Sequence, residues 1–268
     1  MVLSVFKDGQ PRVEKYLQMA NHIKDKNICS IKTKLFVSAS YKLKHGIKSS
    51  MNIPESQEVD FSKPDNGLNT WVNKNVELRN CAFTREFDSK TDYVVANVSS
   101  LQSTWASFSD SGPIMKIYNS FTYTQDVKYE ARLLELPLRS GLKLVIVVPN
   151  EVDVLQNLFN ILKDQGLDAA VRSIQPLFTT KCELNAPNIS INSRIENSEE
   201  INRFAKSNIV QYGALIVNKM GANVTVLTCL TVPSNMIPAQ NERSCNNQPF
   251  YVGIVYEDTP LFIGRFTK

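Results

Sequence analysis

Two histidines, His22 and His45, and five cysteines, Cys29, Cys81, Cys182, Cys229 and Cys245, are the side chains best suited to nucleophilic or metal chemistry in this 268-residue chain. A hydrolase needs its nucleophile held beside a base. Neither histidine has such a setting, since no GxSxG turn occurs, His45 lies in a lysine-rich stretch and His22 falls within an expected helix. Surface histidine is the expected role of both. The cysteines form no CxxC pair and are too sparse to staple a small scaffold, so thiols are expected rather than a zinc site or a disulfide framework. GxGxxG and GxxxxGK[ST] are absent too. No metal and no cofactor are expected, and the reading is not an enzyme.

Three triplets match the glycosylation sequon: Asn97-Val-Ser, Asn188-Ile-Ser and Asn223-Val-Thr. Modification requires secretion and exposure. Asn97 sits in an expected buried strand, where an amide closing a polar network is the stronger expectation.

Charge is distributed unevenly. The net value is +4, but residues 1–50 hold ten Lys/Arg against three Asp/Glu. Such an excess suits a polyanion or an acidic partner, although a solvated basic surface is the commoner outcome. Aromatics do not interleave with the basic residues as single-stranded nucleic-acid binding requires, so no nucleic-acid partner is expected. No apolar run approaches the roughly 18 residues of a membrane span, and the stretch Met1-Val-Leu-Ser-Val-Phe is too short for a signal peptide. With 43% hydrophobic residues the chain has enough apolar mass for a substantial core.

The elements that must position any site follow from periodicity. Residues 11–23 carry Val13, Tyr16, Leu17 and Ala20 at helical spacing behind Pro11, and residues 28–41 alternate as a half-exposed strand with its lysines toward solvent. Between Pro64 and Asn80, Leu68, Trp71, Val72 and Val76 share one helical face. Strands are expected over 93–101, 121–137, 142–148, 189–191, 214–217, 250–255 and 261–266, and short helices over 152–162 and 167–177. The order is α+β without βαβ alternation, and a single domain over 1–268 is the simpler reading.

The succession of short motifs says more than any one of them. Val59-Asp60-Phe61 precedes Asn69-Thr-Trp71-Val72. Ala96-Asn97 and Trp105 follow, then Leu134-Glu-Leu-Pro137 and Val147-Val-Pro-Asn150, and finally Val217-Asn218 before Gly221, Pro249-Phe250 and Leu261-Phe-Ile-Gly264-Arg265-Phe266. This order resembles the serpin family over residues 59–266. The resemblance implies an α+β domain of three β-sheets with surrounding helices and an exposed reactive loop near the C-terminal end. It also implies an N-terminally incomplete domain, because the helices and strand that open the family's domain have no counterpart before Met1.

What the resemblance implies for function is inhibition of a serine or cysteine endopeptidase. The protease cleaves the loop while joined to it by an ester, and the cut loop inserts into the largest sheet as a new strand. On this alignment Asn97 and Trp105 mark where that sheet opens. The hinge comprises Gly221, Ala222, Asn223, Val224, Thr225, Val226, Leu227 and Thr228. The reactive loop comprises Val232, Pro233, Ser234, Asn235, Met236, Ile237 and Pro238, with Asn235–Met236 as the scissile bond. Inhibitory hinges carry acidic and small residues, whereas only the Gly and two small positions are retained here. Valine methyls in slots shaped for alanine cost roughly 1–3 kcal/mol each, so slow insertion and substrate-like behaviour are expected. The alternative is a non-inhibitory binding or structural protein that uses a basic surface, Lys24, Lys26, Lys32, Lys34, Lys42, Lys44 and Lys48, to hold a sulfated polysaccharide. The resemblance implies an extracellular setting, and the missing signal peptide leaves an intracellular one open.

Overall fold

The computed structural model describes residues 18, 21–23, 25–41, 53, 55–63, 67–76, 87–106, 115–126, 130–151, 157–158, 160–161, 180–186, 189–196, 208–232, 250–257 and 259–266. Its first sheet has six strands: β1 (Ser30–Ser38), β2 (Glu55–Val59), β3 (Tyr93–Thr104), β8 (Ile189–Glu196), β9 (Asn208–Asn218) and β10 (Gly221–Val232), in the order β2-β1-β3-β10-β9-β8. The second contains β4 (Met115–Asp126), β5 (Ala131–Pro137), β6 (Leu142–Pro149), β7 (Thr180–Ala186), β11 (Phe250–Tyr256) and β12 (Thr259–Phe266), ordered β12-β11-β6-β5-β4-β7. The third sheet implied by the resemblance is present as a ladder continuous with the second. β4 pairs with β7 over Met115–Phe121, then with β5 over Thr122–Asp126.

The chain forms two compact units, residues 1–101 with 192–214 and 225–242, and residues 102–191 with 215–224 and 243–268. In the first, helix α1 (Gly67–Asn75) buries Leu68 and Val72, the face its spacing predicts. That face meets Phe36, Val94, Ala96, Val98, Leu227 and Cys229 in one core cluster, and the Phe36 and Trp71 rings sit edge to face at 5.8 Å. Asn75 ends the helix by donating its Nδ2 to Trp71 O at 2.6 Å, which satisfies one of the last-turn carbonyls. In the second unit, Ala131, Leu133, Val145, Val147 and Val255 enclose Leu158, from the expected helix of 152–162.

β1 departs from the half-exposed strand expected for 28–41. Leu35, Phe36 and Val37 are all buried, Phe36 in the α1 cluster and Leu35 with Val37 in a smaller one that includes Ile53. Its lysines do not simply line solvent. Lys32 Nζ donates to Asn75 Oδ1 at 2.7 Å, and Lys34, with its side chain 16% exposed, reaches Glu55 at 3.8 Å and lies 5.6 Å from the Phe36 ring centre. The long aliphatic stems pack while the ammonium groups find partners. β2 was not among the expected strands because Glu55-Ser-Gln-Glu has no apolar alternation. It pairs parallel to β1 from Lys34↔Glu55 to Ser38↔Val59. The expected helix over 167–177 and most of that over 11–23 lie outside the described residues.

Cys29 and Cys229 are buried thiols. Burial pushes the Cys29 thiol up to about 11, partly opposed by a hydrogen bond from the Ser100 backbone. Native Cys29 should therefore alkylate with iodoacetamide at about pH 8.5 on the order of a hundredfold more slowly than a model thiol. Peptide mapping after timed labelling checks this, and a rate equal to that of the unfolded chain would contradict it.

Candidate functional site: the β9–β10 hairpin and the sheet that receives it

Sequence placed the hinge in a connection after the strand at 214–217. The structure instead lengthens that strand to Asn208–Asn218, turns in two residues, Lys219 and Met220, and builds residues 221–232 into β10, between β3 and β9. Val224, Val226 and Val232 are β-branched and favour extended backbone, and lodging between two strands gives both edges of the segment hydrogen-bond partners.

The turn end belongs to the second unit. Asn218 organises it twice, accepting from Met220 N through Oδ1 at 2.8 Å and from Trp105 Nε1 through its backbone oxygen at 3.1 Å. Trp105 is 2% exposed and bridges to Leu138, so its indole N–H needs a buried acceptor, and the Asn218 carbonyl supplies one. Gly221 has φ 148°, and a Cβ there would press on Ser103 O and lie 2.7 Å from Thr104 Cα. The backbone of β10 begins against β3 with no room for a side chain. Ser103, itself buried, donates a long 3.4 Å hydrogen bond to Arg139 O.

The other end belongs to the first unit. Asp92 N, just before β3, donates to Val232 O at 2.8 Å, and the Asp92 carbonyl accepts from Ser38 N at 2.8 Å. With Gly221 at Ser103 and Thr104 and Val232 at Asp92, β10 runs antiparallel along the whole of β3. Alternation sorts its side chains from Thr225 onward. Thr225, Leu227, Cys229 and Thr231 are buried, Leu227 and Cys229 in the α1 cluster, while Val226, Thr228, Leu230 and Val232 are half-buried. Ala222 and Val224 are buried as well. Asn223 is half-buried, and Gln211 Nε2 donates to Thr228 Oγ1 at 3.1 Å.

Asn97 lies mid-strand in β3. Its Nδ2 donates to Thr33 Oγ1 at 2.7 Å, and its Oδ1 accepts from Ser99 Oγ at 3.2 Å. Both polar groups of the sequon are thus spent on a network joining β1 and β3, as expected for an amide inside a sheet. Asn97 and Trp105 lie at different levels of the same stretch of chain, Asn97 opposite Thr33 and Trp105 at the β9–β10 turn.

Within the reactive-loop set, Val232 closes β10, whereas Pro233, Ser234, Asn235, Met236, Ile237 and Pro238 lie outside the described residues. So do Lys24, Lys42, Lys44 and Lys48 of the polyanion set and the sequon residue Asn188. Lys26 and Lys32 are exposed, and Lys34 is largely covered. Among the described residues no three His, Cys, Asp or Glu side chains are grouped to hold a metal. Sequence reasoning named Asn218 only as part of a motif and gave neither it nor Met220 a role in the turn. The signal for Asn218 was available, since Asn two residues ahead of a turn amide is an Asx-turn signature.

A family model described as Serpin (serine protease inhibitor) matches residues 3–268. The chain belongs to the serpin family. Serpin B4 of Homo sapiens is 26% identical over 179 residues, which cover 58% of this chain and 46% of that protein. The match therefore spans about half the length of that curated serpin. Among solved serpins, cleaved Serpin 42Da superposes with a TM-score of 0.68 at 20% identity, covering 92% of this chain and 77% of that one. The thermophilic serpin tengpin in its latent state gives a TM-score of 0.68 at 12% identity, covering 90% and 75%. At these identities the likeness establishes the serpin fold.

Within that fold the buried Trp105 indole offers a contained test. Trp105→Phe keeps most of the apolar contact and removes the donor to Asn218, so a loss of about 1–2 kcal/mol is expected in urea unfolding. An unchanged midpoint would show that the Asn218 carbonyl is satisfied without Trp105.

Proposed function

We propose that this chain is a non-enzymatic protein of the protease-inhibitor class that presents residues 233–238 to a serine or cysteine endopeptidase and uses 221–232 as the strand that fills its first sheet. The observation that carries this reading is the position of β10 between β3 and β9, with Ala222, Val224 and Leu227 buried. Sequence suggested that methyl-bearing hinge residues would resist insertion. The arrangement supports the opposite weighting, because the bulky Leu227 and the β-branched Val224 are both buried in the seated strand, Leu227 within the α1 cluster, and Val226 is half-buried.

The experiment is incubation with a panel of serine and cysteine endopeptidases, followed by denaturing electrophoresis and N-terminal sequencing. A denaturant-resistant adduct with cleavage between Val232 and Pro238 is the expected result. Cleavage there with the protease left fully active would remove trapping and leave a substrate-like serpin.

A second reading, binding of a sulfated polysaccharide, has the exposed Lys26 and Lys32 in its favour. Retention on heparin that falls steeply between about 0.05 and 0.2 M salt would be its signature. Passage through the column at low salt would end it.

A further inference from the structure

We propose that Asn223 is an N-glycosylation site whose glycan stands on the open turn end of the first sheet without displacing β10. This goes beyond the protease-class reading and carries with it the extracellular setting that the family resemblance implies.

Two sequons have their asparagine among the described residues, Asn97-Val-Ser and Asn223-Val-Thr, and only the second leaves its amide uncommitted. Asn97 Nδ2 donates to Thr33 Oγ1, whereas among the described residues no hydrogen bond engages the Asn223 side chain. The surroundings of Asn223 follow from alternation. Val94, Ala96 and Val98 of β3 share the α1 cluster with Leu227 and Cys229 of β10, so Gln102 and Thr104 continue that face on β3 and Asn223 continues it on β10. The two-residue turn between Asn218 and Gly221 sets Ile216 of β9 opposite Asn223, in the register that also brings Gln211 to Thr228. Tyr212 packs on the α1 cluster, and Ile216, four residues further along β9, shares its face. At this end the face is uncovered: Gln102 and Thr104 are exposed, and Ile216 is 43% exposed. Two residues further along β10, Thr225 is already buried. Asn223 thus stands where the covered part of the face ends. Directly opposed side chains in an antiparallel pair have Cβ atoms about 5 Å apart, so the first sugar on Asn223 lies beside Ile216 and covers an apolar side chain that the protein leaves bare.

The donor this chemistry requires is an oligosaccharide linked to a polyprenyl diphosphate. Asn223 Nδ2 attacks the anomeric carbon of the first sugar, the bond from that carbon to the diphosphate oxygen breaks, the polyprenyl diphosphate leaves, and a base of the transferase takes one amide proton. Recognition of the sequon uses the Thr225 hydroxyl, which is buried in the folded strand, so transfer precedes the folding of β10. A glycan attached that early is retained only where the fold has room for it. At Asn97 it would break the bond to Thr33 that joins β1 and β3, whereas at Asn223 it meets an open face.

The test expresses the full chain behind a cleavable leader in eukaryotic secretory cells, beside Asn223→Gln. Secreted and cell-retained protein are both mapped after release of glycans by peptide N-glycosidase in heavy-oxygen water, which leaves an isotope-labelled aspartate wherever a glycan was attached. Thermal unfolding is followed with the glycan intact and after an endoglycosidase has trimmed it to the first sugar. The expected result is a label at position 223 in most molecules, a gain in gel mobility of one glycan for Asn223→Gln, and a midpoint that moves by less than about 3 °C on trimming. A chain bare at 223, whether or not Asn188 is labelled, overturns the site. A label at 223 with a midpoint that rises well beyond that margin on trimming overturns the placement, because the glycan would then have kept β10 from its sheet. Neither outcome touches the protease-class reading, which adduct formation tests separately.

Discussion

Gly221→Ala should lower stability by about 3 kcal/mol or more. Two costs coincide at this residue. Its φ of 148° is a conformation that a side chain disfavours, and the added Cβ would meet backbone, Ser103 O and Thr104 Cα, rather than a movable side-chain tip. Neither backbone atom can retreat easily, because Ser103 and Thr104 end β3 immediately before Trp105, whose indole is fixed to Asn218. Relief can come only from lifting the start of β10 away from β3, which should raise the alkylation rate of Cys229 along with the loss of stability. Gly264→Ala is the control. Its Cβ would lie 3.5 Å from Val252 Cγ1, an ordinary contact, and a change under about 1 kcal/mol is expected. Urea unfolding of the two variants in parallel decides the matter. Equal losses would mean that Gly221 carries no special contact with β3.

Sequence and structure agree where a pattern is local and part company where it depends on a partner. Helix α1 was readable because Leu68, Trp71, Val72 and Val76 repeat at helical spacing, and β6 because the apolar run Leu144–Val148 suits a strand between β5 and β11. The same logic failed at β2, whose residues Glu55, Ser56, Gln57 and Glu58 are exposed and whose strand character comes wholly from pairing with β1. It understated β1, because burial of Phe36 is a property of α1, some thirty residues away in sequence, rather than of the strand's own alternation. β10 shows the limit most clearly. Gly221 was legible as the start of the hinge. That the segment lies in the sheet depends on the gap between β3 and β9, which no window of sequence contains. Asn97 lies between these cases: an amide closing a polar network was predictable from its strand, but Thr33 as acceptor follows from the β1–β3 register.

Leu227→Ala is expected to cost about 3 kcal/mol, within the usual range for a buried leucine. Leu227 is fully buried among Phe36, Val72, Val98 and their neighbours, and the cavity left by its truncation would be bounded by α1 on one side and the sheet backbone on the other. Both walls are held by hydrogen bonds and cannot collapse far, so the loss of apolar transfer energy is joined by the cost of the cavity. The adjacent residue makes the comparison sharp. Val226 points to the opposite face, where it is half-buried, and Val226→Ala should change stability by about 1 kcal/mol or less. The ratio of the two losses reports on strand placement, because in an extended, solvated hinge both truncations would be nearly silent. Measured in urea on the uncut chain, a loss at 227 several times that at 226 requires β10 to be seated in the sheet before any protease has acted. Two small and equal losses would place residues 221–232 outside the α1 cluster, and the low-energy state of the intact chain would then be the one with its first sheet still open.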